Sequence, residues 1–430
     1  MKKKVAVFPA GSEIGLEINR ALKYSMYIEL FGFSSVNDHA KFVYKNYIGD
    51  IPFYNDENFI EVINYHIEEN QIDFIFPAHD DVQLYLTENK EKINADILTP
   101  DLETVKICRS KIKTYKYFAE FDFIPQYYEK DNINEINLEF PLFIKPDIGQ
   151  GSKGARKVNS LSELLDEINK DPEIVICEYL PGEEYTIDCF TDSNGKLRVC
   201  NARNRNRIKL GISVNSKILE TDDSITNIAN IINEKLRFDG AWFFQLKKDV
   251  NNQYRLMEIA PRVSGTMGLS RNTGVNYPLL TIFNKMVDEV KIIKNNYDIE
   301  VDRAFFSRYK INIQYDYVYV DLDDTLIIDG KVNNYLMMFL YQAVNLEKEI
   351  ILITKHINNV KETLSNHKIS IGLFDKVIHL RKEDEKNIHI ESEKSIFIDD
   401  SFSERLRMFE EKNIPVFDTS EIESLLEWRG

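Results

Sequence analysis

Glycine and proline are scarce in this 430-residue chain, at 17 and 12 residues, and no stretch is dominated by them. Against 43% hydrophobic and 29% charged residues, that scarcity describes a well-packed globular protein without a sizeable disordered segment. Low-complexity tracts and internal repeats are lacking as well. Basic residues are outnumbered, with 54 Lys and Arg against 70 Asp and Glu and a formal charge of -16. Such a surface repels a phosphate backbone, so nucleic-acid binding is not expected as the main role. The four cysteines, Cys108, Cys177, Cys189 and Cys200, show no CxxC spacing. The usual zinc and dithiol motifs are thereby excluded, and reduced thiols, mostly in strands of a cytoplasmic protein, are expected. Long apolar runs are missing too: the run at 5–8 in the opening MKKKVAVFPAG is too short for a signal core or a membrane span and reads as a first strand. Gly11 and Gly15 do not complete a GxGxxG pattern, so a nicotinamide cofactor is not expected.

What is present divides the chain into parts, as its length alone predicts, since one hydrophobic core stops growing well below this size. A strand at 4–8 is followed by Pro9-Ala10-Gly11-Ser12 and a helical pattern at Ile14, Ile18, Ala21 and Leu22. Further apolar runs at 28–31 and 73–77, separated by a helical stretch at 59–70, predict a parallel α/β layer. From about Thr104 a helix gives way to alternating strands through about Lys294, and a new α/β pattern starts near Tyr315. The expected divisions are 1–103, 104–295, a connection at 296–315, and 316–430. In fold class this is an α/β and α+β multidomain chain.

Three features of the second division point to a nucleotide. Residues 141–146 form a strand, and Gly149-Gln150-Gly151-Ser152-Lys153-Gly154 follows it. Closely spaced glycines let backbone N–H groups approach an anion, and Lys145 and Lys153 supply charge, so a polyphosphate cradle is the functional reading, with a plain hairpin tip as the structural one. The strand at 175–180 can offer backbone groups at Glu178 and Leu180 to an adenine edge, with the Glu184 carboxylate for ribose hydroxyls; an ordinary sheet corner would look the same. Strands at 241–249 and 254–260 flank Asn251-Asn252, a turn pair that tolerates positive φ. Symmetry about a two-residue turn places Gln245 opposite Glu258 on one face. Two oxygen donors there suit Mg²⁺ bridging phosphates, and Arg262, just beyond, can stabilise charge on a transferring phosphoryl group.

In this order the features resemble the ATP-grasp superfamily, specifically carboxylate-amine ligases similar to carbamoyl-phosphate synthase domains, over residues 1–295. The resemblance implies a parallel α/β pre-ATP-grasp domain followed by an ATP-grasp domain. It puts Lys111 and Lys145 on the phosphates, Gly151, Ser152 and Lys153 in the phosphate loop, Glu178 and Leu180 at the adenine, and Glu184 at the ribose. Gln245 and Glu258 fall on the metal ligands and Arg262 on the signature arginine. The family usually has Asn two places after the metal glutamate, and this chain has Ala260, which cannot ligate. Such ligases convert a carboxylate to an acyl phosphate that an amine then attacks. Arg203, Arg205 and Arg207, at alternating strand spacing, can hold that carboxylate or acyl phosphate on one face; a solvated basic strand face is the alternative.

The last division carries a second set. A buried-type strand at 317–320 runs into Asp321-Leu322-Asp323-Asp324-Thr325, another at 350–353 ends at Thr354, and a third at 395–398 ends in Asp399-Asp400. Asp321 can attack a phosphoryl group, Asp323 can act as general acid and base, Thr354 can donate to phosphate, and Asp321, Asp323 and Asp399 can hold Mg²⁺. Three strands ending this way resemble the haloacid dehalogenase superfamily over residues 316–430, an uncapped Rossmann-like phosphatase domain. That resemblance assigns the phosphate lysine to Lys386, with Lys382 as runner-up.

Together these readings predict a cytoplasmic bifunctional enzyme. It uses ATP and Mg²⁺, with Mn²⁺ as a substitute, to join a small-molecule carboxylate to an amine, and it hydrolyses a phosphoester. No nucleic acid and no membrane is expected as a partner, and homo-oligomerisation is left open. The alternative is a ligase or phosphotransferase whose last domain is a non-catalytic regulatory module.

Overall fold

The computed structural model describes residues 2–130, 133, 138–149, 151, 153–171, 173–287 and 289–429. It falls into two compact units, residues 1–305 and 306–430.

The first unit opens with a five-stranded parallel sheet in the order Asn46–Ile48, Ile28–Phe33, Lys3–Phe8, Phe74–Pro77, Asp96–Ile97. Side chains alternate across a strand, and both faces of this sheet are apolar. Val5 and Val7 pack with Ile18 and Leu22 on one side, while Ala6 and Phe8 pack with Phe59, Ile63 and Ile67 on the other. Burial on both faces is why the strand reads as an unbroken apolar run. The core on the Val5 side continues into Phe190, Val199, Phe243 and Ala260 of an antiparallel sheet, ordered Leu197–Asn204, Glu184–Thr191, Gly240–Lys248, Tyr254–Ala260. Trp242, Phe244 and Leu246 fill the opposite core with Ile225, Ile228 and Ile232 of the helix Asp223–Lys235. A separate antiparallel sheet, in the order Tyr127–Tyr128, Ile174–Glu178, Leu142–Pro146, Arg156–Val158, carries the glycine-rich segment between Leu142–Pro146 and Arg156–Val158.

The stretch read as a connection, 296–315, is divided by the structure. Glu300–Asp302 is a strand paired with Ile212–Lys217, and the Arg303 side chain bonds Glu13 and Ser213. The first unit therefore extends to residue 305. No pattern signalled this, because a three-residue edge strand is too short for alternation to register.

The second unit is a five-stranded parallel sheet in the order Lys376–His379, Glu349–Thr354, Tyr317–Val320, Ser395–Ile398, Val416–Phe417. Its central strand is buried on both faces. Val318 and Val320 pack with Leu336, Phe339 and Leu340 of the helix Asn334–Asn345, and Tyr319 packs with Phe397, Met408 and Ile414. Between Asp321 and Thr354 the chain forms only a two-stranded ribbon, Ile327–Ile328 with Lys331–Val332, and that one helix. Among the described residues no helix is long and apolar enough to cross a membrane.

Candidate active sites

The hairpin Gly240–Lys248 and Tyr254–Ala260 builds the floor of the first site. Its turn is not the two-residue one expected. Lys248 pairs with Tyr254, the Asp249 amide donates to Gln253, and Asn252 takes φ 62°, so three residues form the tip. Asp249 Oδ1 fixes this tip by accepting from the amides of Asn251 and Gln253. The extra tip residue would have shifted every pairing by one. A bulge between Gln245 and Leu246 reverses the shift, and Gln245 lies opposite Glu258 after all. Gln245 shares its face with Phe243, and both line a cleft of about 440 Å³ together with Glu258 and Arg262.

Lys111, also on the cleft wall, caps the end of a strand: its Nζ donates to the carbonyls of Pro146 and Asp147 at 3.1 and 3.0 Å. Burial holds the ammonium below its usual pKa, against the pull of Glu258. Lys145 is buried, and its Nζ donates to Tyr115 Oη at 2.8 Å and to the Met257 carbonyl at 3.1 Å, next to Glu258. Glu178 accepts from the Gln126 amide at 2.8 Å, and Leu180 is buried. Gly151 and Lys153 line the cleft; Ser152 lies outside the described residues. Gly151, at φ 68°, touches the tip of a second hairpin, where a β-carbon on Gly211 would come 2.2 Å from the Gly151 carbonyl carbon. Only glycine allows this approach.

The three arginines do not share one strand face. The strand Leu197–Asn204 ends after Arg203, the chain turns at Arg205-Asn206, and a new strand begins at Arg207. Arg203 is buried: Nε donates to Asp188 Oδ2 at 2.8 Å, one terminal nitrogen bonds Asp188 Oδ1 and Ser264, and the other, NH1, is buried with no partner. Arg205 is committed to Glu184, at 2.7 Å, and to the Gly211 carbonyl, at 2.8 Å. Arg207 is 58% exposed and grips both Asp302 oxygens at 2.8 Å. Arg203 and Arg205 line the cleft; the residues that surround it do not include Arg207. The expectation of a common face failed because the turn at 205–206 contains neither glycine nor proline to announce it.

Arg262 is held by a residue that sequence reasoning passed over. Its Nε and NH2 donate to Asp80 Oδ1 and Oδ2 at 2.5 and 2.8 Å, and its guanidinium lies over the Phe243 ring. Burial works to raise the Asp80 carboxyl, but Arg262 and Arg109 outweigh it and hold the group below its usual range. The available signal was a pair of acids, Asp80-Asp81, opening a helix just past the strand Phe74–Pro77.

In the second unit, Asp321, Asp399 and Thr354 sit at the C-terminal ends of adjacent parallel strands. Lys386 bridges the first two, 2.7 Å from Asp321 Oδ1 and 2.7 Å from Asp399 Oδ2. Burial, reinforced by Asp399 and opposed by Lys386, pushes Asp321 up to about 7; burial likewise raises Asp399. Asp321, Asp399 and Asp400 each offer an oxygen within 4.8 Å of the others, a set of hard donors that fits a divalent cation. The Asp323 side chain is not in this group. It turns to His356, whose Nδ1 lies 2.8 and 3.0 Å from its two oxygens. Lys382 is exposed.

Residues 170–304 match a family described as "ATP-grasp in the biosynthetic pathway with Ter operon". The carbamoyl phosphate synthase large chain of Thermoanaerobacter sp. (strain X514) is 26% identical over 157 residues, 34% of this chain and 15% of that protein, so the chain spans only a small part of this curated relative. Among solved structures, the biotin carboxylase domain of the Hydrogenobacter thermophilus 2-oxoglutarate carboxylase, in complex with MgADP, ADP and bicarbonate, is similar with a TM-score of 0.56 and 15% identity, over 68% of this chain and 72% of that one. The N5-carboxyaminoimidazole synthetase of Staphylococcus aureus, complexed with ADP, is similar with a TM-score of 0.53 and 15% identity, over 66% and 78%. The chain carries the ATP-grasp fold.

Proposed function

We propose that this ATP-grasp chain joins a small-molecule carboxylate to an amine at the expense of ATP. The observation that supports this most is the gathering of Lys111, Gln245, Glu258, Arg262 and Arg203, from segments far apart in sequence, around one cleft of about 440 Å³. A carboxylate oxygen of the substrate attacks the γ-phosphorus and ADP leaves; the amine nitrogen then attacks the acyl carbon and phosphate leaves. Lys111 and Lys153, on the cleft wall, would meet the phosphates; by the resemblance Lys145 would reach them from behind the wall, where it bonds Tyr115 and the Met257 carbonyl, with Glu178 and Leu180 toward the adenine and Glu184 toward the ribose. Mg²⁺ bound by Gln245 and Glu258 would offset the charge of the phosphate oxygens. Arg203 and Arg205 both line the cleft and each keeps one buried nitrogen without a hydrogen-bond partner, so either can anchor the carboxylate, whereas Arg207 lies outside the cleft lining and grips Asp302; Arg205 also ties Glu184 to the Gly211 tip. The test is ADP release from the full chain across pooled carboxylates and amines. Release that requires both co-substrates supports the reading, and ADP formation indifferent to either sinks it.

For residues 306–430 we propose a haloacid dehalogenase-like phosphoester hydrolase. The Asp321 oxygen attacks phosphorus while Asp323 gives its proton to the departing oxygen; water then attacks the aspartyl phosphate, loses a proton to Asp323, and inorganic phosphate leaves. Lys386 and Thr354 hold the phosphate oxygens. Asp321, Asp399 and Asp400 would hold a divalent cation, which when bound would neutralise charge on the phosphate oxygens. The support is the convergence of these side chains on the ends of three adjacent strands. Phosphate release from simple phosphoesters, lost on chelation, is the check.

A further inference from the structure

We infer that His356 is a positioning residue for phosphoester hydrolysis, setting the direction of the Asp323 carboxyl and the Thr354 hydroxyl together. This rests on the hydrolase reading of residues 306–430. Asp323 is half exposed, at 52% of its side chain, whereas His356 is only 10% exposed. An exposed carboxyl on its own samples several rotamers, and fixing it costs conformational entropy. Here it is fixed from one side. His356 Nδ1 meets both Asp323 oxygens, at 2.8 and 3.0 Å. The ring is itself pinned, with Nε2 2.8 Å from Thr363 Oγ1 on the helix Val360–Asn366. The His356 amide donates to Thr354 Oγ1 at 3.2 Å, and its carbonyl accepts from His379 Nε2 at 2.6 Å. One residue thus touches the proton-transfer group and the phosphate-binding hydroxyl, and its own backbone and ring are held at three points.

The chemistry of the ring suits the task. A general acid in the first displacement must be the general base in the second, so its partner has to tolerate both a carboxylic acid and a carboxylate. A neutral imidazole donates from one nitrogen and accepts at the other, and a threonine hydroxyl can do either. The chain Asp323–His356–Thr363 therefore stays hydrogen-bonded in both halves of the cycle. The same contact keeps the Asp323 side chain away from the cluster of Asp321, Asp399 and Asp400, leaving those oxygens for the cation.

The experiment measures kcat and KM of the full chain with Mg²⁺ on two esters. p-Nitrophenyl phosphate has a leaving group that departs without a proton, and glycerol 1-phosphate has one that needs it. His356→Leu is expected to lower kcat on glycerol phosphate by about 10²-fold or more, the lower range for loss of general acid catalysis. On the nitrophenyl ester kcat should change little, and KM should hold on both. His356→Asn, which returns a donor near the Nδ1 position, should recover part of the loss, and Thr363→Val should reproduce a smaller version of it. Equal losses on both esters across these variants, a change confined to KM, or wild-type rates in His356→Leu overturn the inference while leaving the hydrolase reading intact. If the wild type hydrolyses neither ester, that reading falls and the inference falls with it.

Discussion

Arg262 and Asp80, 182 residues apart in the chain, form a two-point ion pair at the edge of the cleft, Nε to Oδ1 at 2.5 Å and NH2 to Oδ2 at 2.8 Å. Arg262 follows the last strand of the antiparallel sheet, and Asp80 is the first residue of the helix after a parallel strand. The pair fastens the two sheets at the edge of the cleft that Arg262 and Asp80 both line. Asp80 is also favoured by its position, since a carboxylate in the first turn of a helix meets the positive end of its dipole.

Asp80→Ala should therefore destabilise the fold, by less than the roughly 3–5 kcal/mol that unpairing a fully buried ion costs, because both partners are only partly buried. The folded Asp80 carboxyl sits below its unfolded value, so its stabilising contribution is complete above roughly pH 4 and is lost as pH falls through the folded value. Urea unfolding of wild type and variant at pH 7, 4 and 3 checks this. A stability difference that stays constant down to pH 3 would contradict it.

Glu258→Ala should impair ADP formation more than Gln245→Ala, because an anionic oxygen contributes more to holding a hard cation than a neutral amide does. The Glu258 loss should exceed the roughly 10–100-fold typical of removing a group one shell away from a metal. Raising Mg²⁺ should restore Gln245→Ala before it restores Glu258→Ala. An unaffected Glu258→Ala enzyme would place the metal elsewhere.

How far the sequence carried depended on the range of the contact. Gln245 opposite Glu258 was legible because hairpin register is local, although a three-residue tip and a compensating bulge replaced the simple turn that suggested it. Strand ends at Asp321, Thr354 and Asp399 were legible because buried parallel strands announce themselves as apolar runs. Asp80 was not, since nothing near it in sequence hints at Arg262. Nor were the separate fates of Arg203, Arg205 and Arg207, which hinge on a turn with neither glycine nor proline and a second one tipped by Leu210 at φ 51°, a conformation that leucine rarely adopts.

Lys145→Met should weaken ATP binding and leave phosphoester hydrolysis as it is. The ammonium has Tyr115 and the Met257 carbonyl as partners, all in the first unit, and effects at sites without shared partners add independently. Methionine fills the buried space of the lysine stem, so the readout is nucleotide affinity rather than unfolding. Parallel loss of both activities in a folded variant would count against two independent sites.

Asp321→Asn should abolish phosphoester turnover on activated and unactivated esters alike, since an amide of the same shape is a poor nucleophile and no aspartyl phosphate can form. Asp323→Asn should differ, failing on alkyl esters but retaining turnover where the leaving group needs no proton. The structure adds a consequence for stability. Burial and the neighbouring Asp399 push Asp321 up to about 7, so without metal the folded state favours the protonated acid. Its favourable contribution is complete below the unfolded value near roughly 4 and is lost as pH rises through about 7. Asparagine cannot ionise, so it escapes that penalty. In the presence of a chelator, Asp321→Asn should melt at or above wild type at pH 8, and the advantage should shrink as pH falls toward 5. Thermal unfolding at the two pH values, beside turnover of the two esters, tests both halves. An active Asp321→Asn enzyme would show that the nucleophile is another group, and a variant less stable than wild type at pH 8 would mean that the Lys386 pairing outweighs the cost of burying the charge.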